Sequence, residues 1–147
     1  MTISKKVFTP SRSARLVPHW YSVDEQKLKR LGSISTRQLK LPNGSRTIVL
    51  DCPPVVVDPE GYIVNGKHRA IMSVARRQNL EAIIVETPND ILHHVPRQCY
   101  GPDEGDGPKR LIEALTNKDM YVRQTQANGV YTISDLVAKY AAFPPED

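Results

Sequence analysis

Residues 61–70, Gly-Tyr-Ile-Val-Asn-Gly-Lys-His-Arg-Ala, constrain this chain more than any other stretch. An apolar run, Tyr62-Ile63-Val64, reads as a strand, and it meets an Asn65-Gly66 turn. Lys67, His68 and Arg69 follow at the start of a helix that runs on through Ala70-Ile71-Met72-Ser73-Val74-Ala75-Arg76-Arg77. A helix N-terminus leaves backbone N–H groups unpaired and carries a partial positive charge. Cations there are unfavourable on their own, so three basic residues in a row call for a counter-anion. Gly66 lets an anion approach the backbone, and the three side chains add donors. A strand–turn–helix of this kind is a site for phosphate. The plain alternative is an Asn-Gly turn followed by a solvated basic surface.

The flanking sequence supplies the rest of an α/β pattern. Ser22-x-x-Glu25 is a capping box ahead of Leu28 and Leu31, which sets a helix start near Val23. Residues 35–45 are a polar connection containing Pro42-Asn43-Gly44, and an extra loop or hairpin is expected there before a strand at Thr47-Ile48-Val49-Leu50. Val55-Val56-Val57 is a further strand, and Asp58-Pro59-Glu60-Gly61 is a hairpin turn into Tyr62. The helix is expected over 68–78 and the next strand over 81–86, followed by a helix start at Thr87-Pro88. Residues 100–108 read as a loop, Lys109 to Asn117 as an amphipathic helix, Asn128-Gly129 as a turn, and Leu136 to Phe143 as a last helix.

At 147 residues a single domain with a real core is expected. No apolar run approaches the roughly 20 residues of a membrane span. The start, Met1-Thr2-Ile3-Ser4-Lys5-Lys6, lacks the apolar segment of a signal peptide, so the expected compartment is cytoplasmic with Cys52 and Cys99 reduced. Charge is uneven: residues 1–46 carry net +8 and residues 47–147 net −4. A basic first third suggests a polyanionic partner, most often nucleic acid, or else a tail that only aids solubility. Residues 1–15 lack periodicity and read as a flexible basic arm.

The turn at residues 65–69 resembles the Gly-x-His-Arg or Gly-Glu-Arg-Arg turn of the ParB/sulfiredoxin superfamily, which follows a strand, opens a helix and binds nucleotide phosphates. Val23 to Ile34 is similar to that family's first helix, with its leucine and Ser-Ile pattern. Leu80 to Glu86 resembles the strand after the phosphate helix, and Thr87 to Leu92 the short helix that comes next. The likeness spans roughly residues 17–95. It implies an α/β fold: a small mixed sheet with packed helices over residues 16–98, and a loop with a C-terminal helical extension over 99–147 packed on the same domain. The helix–turn–helix domain of the chromosome-partitioning members is not expected in the residues that remain.

The resemblance also assigns roles. His68 and Arg69 match the family's phosphate-contacting pair, and Lys27 matches a lysine of the first helix that reaches the nucleotide. With Asn65, Gly66 and Lys67 they form the expected binding set for ATP or CTP. His68 and Glu25 are the catalytic candidates, His68 as a proton shuttle and Glu25 as a general base or magnesium ligand. The capping box accounts for Glu25 equally well, and an exposed helix face for Lys27. Asp58 and Glu60 are candidate Mg²⁺ ligands or plain turn residues. No resident metal site is expected, because His93 and His94 point about 100° apart on a helix and cannot easily share one ion. Trp20 either stacks a base or anchors the first helix.

Two departures narrow the activity. The sulfinic-acid reductases of the superfamily carry a cysteine where this chain has Lys67, and nothing in the sequence brings Cys52 or Cys99 to the turn. The clamp proteins carry a glutamate there. What the resemblance then implies is hydrolysis of ATP, CTP or a nucleic-acid phosphodiester, as described for plasmid and phage members. The competing class is a non-enzymatic regulator or inhibitor that grips nucleic acid or a protein partner, supported by few acids near the turn and by the basic first third. A kinase acting on free serine is the third option.

Overall fold

The computed structural model describes residues 5–8, 23–96, 99 and 107–140. Within them the chain is a mixed α/β protein with two small sheets and six helices. The main sheet holds β1 (Lys5–Phe8), β6 (Leu80–Ile84), β4 (Val55–Val57) and β5 (Ile63–Asn65), in that spatial order. β4 and β6 run parallel, whereas β1 on β6 and β5 on β4 are antiparallel. The strands at residues 62–64 and 81–86 were expected in one sheet, and they share it.

The sheet is buried on both faces, and its side chains divide by the two-residue period of a strand. Val55, Val57, Ile63, Leu80 and Ala82 join one apolar cluster with Leu28 of α1 (Glu25–Gly32), Ala70, Ile71 and Met72 of α2 (Lys67–Arg76), and Ile133 and Leu136 of α6 (Ile133–Tyr140). Val56, Val64 and Ile83 point the other way, onto Ile91 of α3 (Pro88–His94) and Leu111 and Ala114 of α4 (Gly107–Thr116). α3 starts as its sequence demands: Thr87 and Asp90 form a reciprocal capping box with Pro88 in the first turn.

Four features differ from the sequence reading. Residues 5–8 are the edge strand β1, in register from Lys5 opposite Ile83 to Phe8 opposite Leu80, not part of a flexible arm. A four-residue strand is too short to show a periodicity, and the rest of the expected arm, like Trp20, lies outside the described residues. The cap of α1 is Asp24 rather than Ser22: its Oδ1 accepts from the N–H groups of Gln26 and Lys27. Asp and Ser are equivalent N-caps, so both registers were open to the sequence. The helix expected from Lys109 starts two residues earlier, because α4 begins at Gly107, inside the expected loop. Finally, α5 (Lys118–Ala127) was not anticipated, because it has no continuous apolar stripe and only Thr125 on it is buried. Where an extra loop or hairpin was expected before the strand at 47–50, the chain forms β2 (Thr36–Lys40), which pairs antiparallel with that strand, β3 (Arg46–Leu50). Among the described residues no helix is long and apolar enough to cross a membrane.

Candidate functional site

The turn at Asn65-Gly66 leaves β5 at the sheet edge and delivers α2 alongside α1. The backbone N–H of Asp24, the cap of α1, donates to Nε2 of His68 in the first turn of α2, at 2.9 Å. At the other end Nη1 of Arg76, the last residue of α2, donates to the carbonyls of Leu31 and Ile34 at 3.0 and 2.9 Å. Starts and ends are thus both matched, so the two helices run parallel and side by side. Their dipoles add, and the positive ends converge where Asp24 meets His68. Lys27 is exposed on α1, and Lys67, opening α2, is only 7% exposed. Both raise the local potential, as their effect on His68 shows.

Gly66 is the cap residue of α2 and has φ 109°, a left-handed conformation that disfavours any side chain. Its second role is packing. A Cβ at this position would lie 2.6 Å from Val55 Cγ1 in the middle of the sheet. Glycine is therefore required by handedness and by the closeness of β4, in addition to any ligand.

The three basic residues do different things. His68 accepts through Nε2, so its proton sits on Nδ1 and the ring is neutral. Burial, then Lys67 and Lys27, push its pKa down to about 4, against a smaller opposing pull from Asp24. A neutral, hydrogen-bonded ring of this kind serves as a donor through Nδ1–H rather than as a proton shuttle near neutral pH.

Arg69 turns inward. Its Nη1 donates to the carbonyls of Pro53 and Pro54 at 2.8 and 2.5 Å, and its Nη2 to Asn65 Oδ1 and the carbonyl of Cys99 at 2.8 Å each. This guanidinium ties the lead-in to β4, the turn and residue 99 together. Both terminal nitrogens of Arg69 and the Oδ1 of Asn65 are thereby engaged within the protein, so in this structure Arg69 braces the turn that was expected to hold phosphate. The notion that the cysteines lie away from the turn is also overturned, since Arg69 bonds the Cys99 carbonyl and the carbonyl of Pro53, next to Cys52. Neither cysteine forms a disulfide, and burial pushes the Cys52 thiol up despite nearby Arg69 and Arg37, which leaves it a poor nucleophile.

Glu25 is exposed and makes no hydrogen bond or ion pair among the described residues. Nothing positions it as a general base. Asp58 and Glu60 are brought together, but the ammonium of Lys118 occupies the place considered for Mg²⁺. Its Nζ donates to Asp58 Oδ2 at 2.7 Å and to Glu60 Oε1, and it lies 4.3 Å above the centre of the Tyr62 ring. Burial alone would lower the Lys118 pKa, yet bonds to both carboxylates hold it above its ordinary value. Asp58 also accepts from the N–H groups of Glu60 and Tyr62, closing the hairpin turn. A groove of about 700 Å³ beside this ion pair is lined by Glu86, Asp119 and Met120 among others, and shares no residue with the turn. No group of three metal-ligating side chains occurs among the described residues, and the His93 and His94 rings stand 6.5 Å apart at 65°.

The depressed His68 pKa sets a pH dependence. Unfolded His68 titrates near 6.5 and folded His68 near 4, so the unfolded chain takes the proton first. Its contribution to stability is therefore complete above pH 6.5 and is lost as pH falls toward 4. After allowance for partial solvent screening, the loss is about 2 kcal/mol. His68→Gln keeps an acceptor for the Asp24 N–H without titrating. Urea unfolding at intervals through this range is expected to show a shallower decline for the variant. Identical pH profiles would mean that the ring is not held neutral by this bond.

By its described residues the chain is an α/β protein in which two parallel helices present their N-termini together. No family model matches the chain, and no curated protein and no solved structure matches it.

Proposed function

We propose that this chain is a ParB/sulfiredoxin-like protein that binds nucleotide phosphates at the joined N-termini of α1 and α2, with ATP favoured over CTP. One observation carries the reading: the two helices run parallel with their starts bridged by Asp24 and His68. Parallel packing sets like dipole ends side by side, and an anion at that end offsets the cost. The first-turn N–H groups of α2, His68 Nδ1–H and the Lys27 ammonium are the donors, and Arg69 braces the turn from behind. This arrangement resembles the superfamily's phosphate site, with Arg69 moved from ligand to scaffold.

Binding is better supported than hydrolysis. A hydrolase needs an oriented nucleophile and a base. His68 is neutral with Nε2 occupied, and Glu25 is exposed with nothing to orient it. We accordingly favour a nucleotide-binding regulator over an NTPase, a nuclease or a free-serine kinase. The test is calorimetry with ATP and CTP, each with Mg²⁺, on wild type and Lys27→Ala. Lys27 is exposed, so the variant keeps the fold. Losing one charge-assisted contact is expected to weaken binding about tenfold. No heat from either nucleotide at millimolar concentration would end the proposal. Phosphate release or plasmid nicking above that of His68→Gln would replace the regulator by an enzyme.

A further inference from the structure

The β2–β3 hairpin stands outside the main sheet. Its root is fixed: the N–H of Leu50 donates to the Asn79 carbonyl at 2.9 Å, and Val49 forms a parallel bridge with Asn79. Arg37, on the inner face, pairs with buried Glu81 at 2.6 Å and with Asp51 at 3.2 Å. Leu50, at the root of the other face, is buried in the core, but toward the tip that outer face is exposed. Direct cross-strand partners share a face, so Gln38 with Ile48, and Lys40 with Arg46, line it together. All four are exposed, and Ile48 is 46% accessible although branched and apolar.

Two features of this face are unfavourable in the isolated molecule. Lys40 and Arg46 are like charges directly opposite each other, which destabilises a strand pair. Residues 26–50 contain six Lys/Arg and no acid, and neither Lys40 nor Arg46 forms an ion pair among the described residues. Ile48 presents apolar surface to water beside them. The tip is closed by hydrogen bonds: Leu41 N–H bonds the Ser45 carbonyl at 2.8 Å, and Asn43 Oδ1 accepts from the N–H and hydroxyl of Ser45 at 2.9 and 2.6 Å. The hairpin is a paired, basic ribbon with a hydrogen-bonded tip.

We infer that the outer face of the β2–β3 hairpin is a docking surface for duplex DNA, laid in the major groove. A two-stranded ribbon has strands about 4.8 Å apart, and the B-form major groove, about 12 Å wide, admits such a ribbon. Lys40 and Arg46 near the tip reach phosphates or guanine edges, the Gln38 amide suits adenine, and Ile48 suits a thymine methyl. An A-form RNA duplex has a major groove too narrow for side chains to read, so it is not the expected ligand. This surface shares no residue with the nucleotide site and does not depend on it.

The test is fluorescence anisotropy with a labelled DNA duplex of about 20 base pairs over a salt series from about 50 to 200 mM. The variants are Lys40→Gln/Arg46→Gln, Ile48→Ala and a control, Lys109→Gln/Arg123→Gln, whose charges lie on exposed faces of α4 and α5. The hairpin charge variant is expected to reduce the steepness of the log–log salt slope by about 2, at roughly 0.9 per lost phosphate contact. Ile48→Ala is expected to weaken binding severalfold at unchanged slope, and the control to change neither. An unchanged slope in the hairpin variant, or an equal change in the control, overturns the assignment. Equal affinity for a single strand, an RNA duplex or heparin overturns the groove geometry, and no binding by wild type at the lowest salt overturns the whole.

Discussion

Arg69→Ala is expected to destabilise the whole fold rather than merely disarm a site. The guanidinium satisfies four acceptors, Pro53 O, Pro54 O, Asn65 Oδ1 and Cys99 O, in a region where burial lowers its own pKa. Bonds from a charged donor contribute about 1.5–3 kcal/mol each, and removing the donor leaves the acceptors without partners. They do not add fully, because water re-enters beside the prolines. A net loss of about 3–5 kcal/mol remains, a large share of the 5–15 kcal/mol typical of a domain. For a chain of this size it lowers Tm by roughly 10–15 °C. Arg69→Lys keeps the charge but lacks the planar fork, and is expected to recover about half of the loss. Thermal melts followed by circular dichroism decide the matter. A melt within about 2 °C of wild type, with nucleotide affinity down tenfold, would mean that the guanidinium faces the ligand after all.

Arg69 also marks the limit of what the chain reveals by itself. The order of elements from α1 to α3 was legible because each start and stop has a local cause: Thr87-Pro88 caps α3, Asp58 to Gly61 closes a turn, and Val55 to Val57 is apolar throughout. The turn and its glycine were legible for the same reason. What the sequence could not show was where the side chains after the turn point. Three basic residues looked alike as a string, yet Lys67 is buried, His68 is neutral and Arg69 faces inward. Those differences are set by residues far along the chain: Asp24 is 44 positions from His68, and Cys99 is 30 from Arg69. The parallel pairing of α1 and α2 is equally non-local, since it rests on Arg76 reaching the end of α1. β1 was missed because four residues carry too little pattern, and α5 because its contacts are not those of an apolar stripe.

Gly66→Ala is expected to be the second most damaging single change, and it separates two physical costs. The backbone there has φ 109°, and an L-residue in such a conformation costs about 1–2 kcal/mol. The new methyl would also sit 2.6 Å from Val55 Cγ1 and 3.3 Å from Arg69 Nη2, so β4 or the arginine brace must shift. Overpacking of this kind costs about 1–3 kcal/mol, for a total near 2–5 kcal/mol. Val55→Ala clears the space while leaving φ unchanged. It opens a cavity in the sheet and destabilises by itself, but the double variant should be less damaged than the sum of the singles by about 1–2 kcal/mol. The deficit that persists after that subtraction is the backbone strain. Urea unfolding of all four proteins completes the cycle, and an additive result would show that the turn reshapes instead of pressing on Val55. The same cycle bears on ligand binding. If the first turn of α2 supplies the phosphate donors, relieving the clash should restore part of the nucleotide affinity that Gly66→Ala removes, because Val55 is what the added methyl strikes.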